Sequence, residues 1–373
     1  MIIKNILVYR EDGSFEDGEV VMEDGIFRET ASDPSEVTDG EGCYAIPGLI
    51  DIHFHGCVGY DFCDGSREAI EKMAEYEASQ GITSIVPATM TLSREELIRI
   101  MTVAGEYENG QGAELVGINM EGPFLNREKK GAQDDKYIRP CDKTMYEELQ
   151  RCSNGLIRLV DIAPETEGAI EFLQSVKDEV KISLAHTCAD YETADRAFKN
   201  GADHVTHLYN AMPPFSHREP GVIGAAFDNK EVFVELICDG IHIHPSVVRA
   251  TFAMFGSDRI VLISDSMRAA GLKDGQYTLG GQDVTVTGKR AVLTEGGAIA
   301  GSVTNLADCL RTAVKEMHIP LEEAVACATK NPARSIGIYD TVGSITAGKK
   351  ANLVLLNKDL SLKSVYINGT LIS

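Results

Sequence analysis

The sequence has no apolar run long enough to cross a bilayer, no C-x-x-C pair, no repeat at solenoid period and no low-complexity tract. Basic residues are also scarce: 35 Lys and Arg stand against 57 Asp and Glu, a formal net charge of −22. Each absence excludes a class. A nucleic-acid ligand needs clustered Lys and Arg, a helical membrane protein needs a spanning segment, and a disulfide scaffold needs paired cysteines. The nine cysteines are odd in number and scattered, which fits reduced thiols and a cytoplasmic location. The first residues, MIIKNILV, carry no basic region, long apolar core or small-residue cleavage site, so no signal peptide is expected. What is present is a chain of 373 residues with ordinary apolar content, enough for a large barrel with an appendage. An anionic ligand has to find a locally positive pocket against this acidic background.

The middle of the chain alternates apolar strands with amphipathic helices, the pattern of a parallel sheet. Strands are expected over residues 49–52, 82–90, 115–120, 159–163, 181–185, 204–207, 232–237 and 260–263. Ser66 caps a helix to about residue 80, and Ser93-Arg94-Glu95-Glu96 is a capping box for the next. Further helices are expected at 143–152, 168–178, 191–200 and 246–255, with two more, at 305–317 and 321–329, closing the ring. Eight strands in this alternation make an α/β protein, a (β/α)8 TIM barrel, with its chemistry at the C-terminal ends of the strands. Residues 1–46 and 338–373 read instead as short strands broken by Asp12-Gly13, Asp24-Gly25 and Asn368-Gly369. The two ends are expected to join as one small β-sandwich domain beside a barrel over 47–337, with a β-hairpin inserted near 276–298.

The stretch that organises the rest is Pro47-Gly48-Leu49-Ile50-Asp51-Ile52-His53-Phe54-His55-Gly56. In a strand, residues i and i+2 point to one side, so His53 and His55 leave the first strand together, within reach of one metal ion. An isolated His-x-His is a weak signal. Here, however, Glu121 ends the third strand, His186 the fifth, His207 the sixth and Asp265 the eighth. Imidazole and carboxylate suit zinc and iron alike. Such an ion polarises a carbonyl and lowers the pKa of its bound water to about 7. Five ligand-type groups are too many for one tetrahedral catalytic site, but two divalent ions bridged by a carboxylate use them all. Glu121 is the best bridging candidate, having two oxygens to share, and Asp265 stands apart as the acid/base group.

The segment at 47–56, together with Ala347-Gly348-Lys349-Lys350-Ala351-Asn352-Leu353-Val354, resembles the metal-dependent amidohydrolase superfamily. Glu121-Gly122-Pro123-Phe124-Leu125-Asn126, Ala185-His186-Thr187, Thr206-His207-Leu208-Tyr209-Asn210-Ala211-Met212, Arg218-Glu219-Pro220-Gly221, Asp239-Gly240-Ile241-His242 and Ser264-Asp265-Ser266 narrow the resemblance to its deacetylases of phosphorylated amino sugars. The resemblance implies hydrolysis of N-acetylglucosamine 6-phosphate to glucosamine 6-phosphate and acetate, in amino-sugar catabolism, by a homodimer. It implies a core metal site at Glu121, His186 and His207, and a second completed by His53 and His55. Asp265 matches the family's catalytic aspartate. Substrate contacts are implied for Asn210, Ala211, Arg218, Asp239 and His242, and for Ala132, Gln133, Ile299, Ala300 and Gly301. Some members carry histidine where Gln133 stands. Two other readings compete. Amidohydrolases of cyclic amides or nucleobases often bridge their ions with a carboxylated lysine, and no strand end here offers one. A catalytically dead scaffold should have lost ligands or the acid/base residue, and all six are present.

Overall fold

The computed structural model describes residues 1–33 and 35–373 as a mixed α/β protein. Six parallel strands lie side by side in chain order: Ile118–Glu121, Ile157–Ile162, Lys181–Leu184, His204–Val205, Phe233–Ile237 and Ile260–Ile263. A second parallel sheet joins Leu49–Asp51, Ile82–Ile85 and Glu114–Leu115. Several contacts link the sheets. Ala88 bridges in parallel to Asn119, and the Asp265 N–H donates to the His53 carbonyl at 2.9 Å. The strands are buried on both faces, apolar toward the helices, with Asn119, Asp161, Ser183 and His204 among the residues that alternate with that apolar set. Val234 and Leu236, like Ile260 and Leu262, face the large core under the helices, whereas Ile237, Val261 and Ile263 pack inward with Ile50 and Ile52. This period of two also aims Glu235 inward. Gly48 lets the first strand meet the second: a Cβ there would lie 2.1 Å from Thr83 Oγ1.

Local signals place the helices. Ser66 caps Arg67–Ser79, and Ser93 with Glu96 forms the capping box of Arg94–Gly105. Two helices had no clear sequence signal, Gly221–Asp228 and Lys330–Ser335. The first has glycines at two of its positions and the second a proline, so tertiary packing overrides weak propensity. Among the described residues no helix is long and apolar enough to cross a membrane.

Both chain ends enter one seven-stranded sheet, in the spatial order Thr370–Leu371, Leu362–Ile367, Leu353–Leu356, Val37–Pro47, Ile2–Tyr9, Phe15–Glu23, Ile26–Arg28. Leu353 and Leu355 face a small core with Ile3, Ile6 and Val8, while Val354 and Leu356 face the large one. The far edge returns to the C-terminal arm: the Phe27 N–H donates to Lys349 O at 2.9 Å and the Ala351 N–H to Gly25 O at 2.8 Å. A single sheet that curls back therefore stands where sequence patterning suggested two separate layers. Just past the expected boundary, Ile338, Tyr339 and Val342 still pack with Ile50 and Val261 of the parallel sheets. The insertion has three antiparallel strands rather than a hairpin, Gly275–Leu279, Gln282–Thr287 and Arg290–Leu293. The third carries no strong turn-plus-alternation signature of its own.

Candidate active site

The six ligand-type residues converge. Glu121, His186 and His207 form one group and His53, His55 and Asp265 another, each with its ligand atoms within 4.8 Å of one another. Glu121 joins them. Its Oε1 lies 3.0 Å from His186 Nε2 and 3.3 Å from His207 Nε2, while its Oε2 lies 3.3 Å from His55 Nε2. Asp265 Oδ1 is 3.4 Å from His55 Nε2 and 3.9 Å from His53 Nε2. All six are buried.

The outer atoms of two rings settle what the inner atoms present. His53 Nδ1 meets Glu235 Oε2 at 3.0 Å, and His186 Nδ1 meets the Lys129 carbonyl at 2.8 Å. Both partners only accept, so Nδ1 carries the proton in each neutral ring and an Nε2 lone pair faces inward. His53 Nε2 is buried without a hydrogen-bond partner and points at Glu121 Oε1 and Asp265 Oδ1. A lone pair aimed at a carboxylate oxygen is repulsive until a proton or a metal cation lies between them. The donor set therefore fits a divalent metal, and its second layer, a carboxylate and a carbonyl behind the imidazoles, is the one metal sites use.

Electrostatically the carboxylates favour a positive charge among these rings, which a proton carries where no cation lies. Burial opposes charge on His53, yet Glu235, Glu121 and Asp265 outweigh it and hold its pKa well above the ordinary imidazole value. Burial likewise opposes charge on Glu121, but hydrogen bonds to His186 and His207 hold its carboxyl well below the usual range. For Asp265 burial is outweighed by His55 and His53, and the pKa is lowered. The backbone is also strained here: His186, His207 and Asp265 have φ of 44°, 31° and 47°. Left-handed non-glycine residues cluster where the surrounding structure over-determines them for function. Opposite Asp265, Gly301 has φ of +60°, and a Cβ there would sit 3.1 Å from the Asp265 carbonyl.

Glu235 was missed by sequence reasoning. It lies mid-strand in Val-Phe-Val-Glu-Leu-Ile, and an acidic residue on the inward face of a buried strand was the available signal. Its Oε2 accepts from both His53 Nδ1 and the His207 backbone N–H, each at 3.0 Å, so one carboxylate braces both halves of the site. Glu235→Gln keeps the shape and removes the charge. It should lower metal affinity about 10- to 100-fold, the usual scale for such supporting groups, read by competition with a chromophoric chelator.

The site opens into a cavity of about 380 Å³. Of the expected substrate residues, Ala132, Gln133, Asn210, Ala211, His242, Ile299, Ala300 and Gly301 line it. Lys129, Glu128 and Gly131 line it as well and were not anticipated, since they lie in a polar loop without periodicity. Asp239 does not line it. Its Oδ1 accepts the Ile241 and His242 N–H groups and its Oδ2 meets His242 Nδ1 at 2.8 Å, so it holds His242 rather than substrate. Burial opposes charge on His242, but Asp239 outweighs it and raises the pKa. Arg218 is exposed and lines a separate cavity with Cys188, Tyr191 and Pro213; within one chain it is not brought to the site.

Buried histidines and carboxylates at the ends of parallel strands, around a small cavity, define a site of the metal-dependent hydrolase kind, and the chain belongs to the amidohydrolase family, which it matches over residues 44–372. It is 37% identical over 383 residues to the N-acetylglucosamine-6-phosphate deacetylase of Bacillus subtilis (strain 168), covering 100% of this chain and 96% of that one. It is 33% identical over 366 residues to the N-acetylgalactosamine-6-phosphate deacetylase of Escherichia coli O157:H7, covering 97% of each. Among solved structures, the N-acetyl-D-glucosamine-6-phosphate deacetylase of Mycobacterium smegmatis superimposes with a TM-score of 0.92 at 28% identity over the whole of both chains. The corresponding enzyme of Thermotoga maritima gives 0.89 at 30% identity over 100% of this chain and 99% of that one.

Proposed function

We propose that this chain hydrolyses N-acetylglucosamine 6-phosphate to glucosamine 6-phosphate and acetate, in amino-sugar catabolism. The observation that carries this reading is the convergence of Glu121, four histidines and Asp265 on one cavity, in a chain similar along its whole length to deacetylases of that substrate. We read the two parallel sheets as one eight-stranded barrel over residues 47–337 and the curled terminal sheet as a small β domain.

Two divalent ions, zinc or iron, would suit the ligands: His186 and His207 would hold one with Glu121, and His53 and His55 the other with the same carboxylate. When bound, they supply an acidified water and polarise the amide carbonyl. The protein's own residues do the rest. Asp265, an ionised carboxylate at the cavity wall, takes a proton from the attacking water and returns it to the leaving nitrogen as the C–N bond breaks. Water adds across the amide, so acetate and the amine account for every atom. His242, held by Asp239, offers positive charge to the sugar phosphate, and the backbone around Asn210-Ala211 offers N–H donors. Lys129 adds a cation that the sequence did not single out.

Arg218 enters this reading through a second copy. Its guanidinium is exposed and close to His217 at 2.7 Å, and neighbouring Phe215 is 49% exposed, a surface suited to the interface of a cytoplasmic homodimer. Charge-assisted hydrogen bonds contribute about 1.5–3 kcal/mol each. Removing the phosphate from the substrate should therefore lower kcat/KM about 10- to 100-fold or more, measured by acetate release from N-acetylglucosamine with and without the 6-phosphate. That penalty should shrink in Arg218→Ala. Mixing Arg218→Ala with Asp265→Asn chains should restore activity if Arg218 serves the partner's site, whereas flat activity after proven subunit exchange assigns it to its own chain. Equal rates on both sugars overturn the phosphate reading. N-acetylgalactosamine 6-phosphate belongs in the same panel, given the 33% identical relative.

A further inference from the structure

Gln133 stands where the resemblance implies a substrate contact, yet its amide is already engaged on both sides. Only 2% of the residue is exposed. Its Oε1 accepts the Thr91 backbone N–H at 2.6 Å, and its Nε2 donates to Glu121 Oε2 at 2.8 Å. The second Nε2 hydrogen has Met90 Sδ as its neighbour at 3.8 Å. A backbone N–H only donates and an ionised carboxylate only accepts, so one amide orientation satisfies both and the flipped one satisfies neither. The supports of this amide are themselves fixed. Gly122 admits Thr91 closely, since a Cβ at 122 would lie 2.1 Å from Thr91 Oγ1. Gln282, from the inserted sheet, donates to the Ala132 carbonyl at 2.5 Å and ties down the Gln133 loop.

The consequence falls on Glu121. Its Oε1 has His186, His207 and, at 3.6 Å, His53 as neighbours, and its Oε2 has His55 and Gln133. Without the amide Oε2 keeps His55 alone as its neighbour, and the carboxylate plane is held less firmly on that side than on the Oε1 side. We infer that Gln133 is a positioning residue that pins the Glu121 carboxylate plane and keeps Oε2 turned toward His55, on the side where His53 and His55 would hold an ion. The amide also occupies one lone pair of Oε2, so an ion at His53 and His55 would be the more weakly held of the two. This inference rests on the two-ion reading above.

The full-length protein loaded with zinc is dialysed against graded chelator, and residual zinc per chain is read by emission spectroscopy. The unaltered protein should release its ions in two steps. In Gln133→Met, similar in length but without a donor, the first step should move to about 10- to 100-fold less chelator, and the second should move less than about threefold. Gln133→Asn, one methylene shorter and unable to reach both partners, should shift the first step in the same direction and decides the matter if the Met variant fails to fold. Equal shifts of both steps, or no shift of either, overturn the role of Gln133 while leaving two ions in place. Release of a single ion in one step from the unaltered protein removes the two-ion reading, and this inference with it.

Discussion

Asp265→Asn should lower kcat by about 10²- to 10⁴-fold, the range for a general acid–base group, with little change in metal content or KM. The structure makes this a clean substitution. Asp265 is placed by its backbone: its N–H donates to His53 O at 2.9 Å, and its carbonyl accepts the Ser302 N–H at 2.7 Å. Its φ of 47° lies in the left-handed region, which asparagine tolerates better than most residues. The variant keeps size, backbone and one oxygen, and loses the basic site that moves the proton. Equal falls in kcat and kcat/KM on N-acetylglucosamine 6-phosphate would mark an interaction realised in the transition state. If the variant instead loses metal, Asp265 belongs to the ligand set with His53 and His55, a grouping that distances alone permit.

Exhaustive metal removal should lower activity by roughly 10⁴-fold or more, because water without a Lewis acid returns toward a pKa of about 15.7. Activity should return on adding zinc or iron(II), and elemental analysis of the reconstituted protein should find about two ions per chain. Replacing both His53 and His55 by alanine should leave about one, since Glu121, His186 and His207 form a complete group by themselves. Full activity in demetallated protein would remove the metal-dependent reading. One tightly bound ion in the unaltered protein, under saturating metal, would reassign His53 and His55 to a supporting role.

Much of this site was legible because ligands at strand ends follow from periodicity. His53 and His55 alternate on a strand, and Glu121, His186, His207 and Asp265 each end an apolar run, so a parallel-sheet reading brings them to one face before any coordinates exist. The supporting groups were hidden for the opposite reason. Glu235 lies inside a strand, and its role depends on which neighbour its inward face meets, a matter of sheet closure. Lys129 and Gly131 sit in a loop whose path is set by tertiary contacts such as Gln282 to Ala132. Asp239 and His242 were seen as a motif, but the hydrogen bonds that divide their roles depend on a turn geometry that spacing leaves open. Arg218 was recognised from its motif alone, and a motif carries no information about which subunit its side chain serves.

The terminal sheet has a consequence for the birth of the molecule. Val37–Pro47 pairs in parallel with Ile2–Tyr9 on one side and antiparallel with Leu353–Leu356 on the other. The second partner lies about 300 residues later in the chain. At a translation rate of about 5–20 residues per second, one edge of that strand stays open for roughly 15–60 s on the ribosome. Open apolar edges template association between chains. Vectorial synthesis thus leaves Val37–Pro47 with one edge unpaired until Leu353–Leu356 emerges, so a strand remote from the active site closes a surface on which nascent chains would otherwise associate.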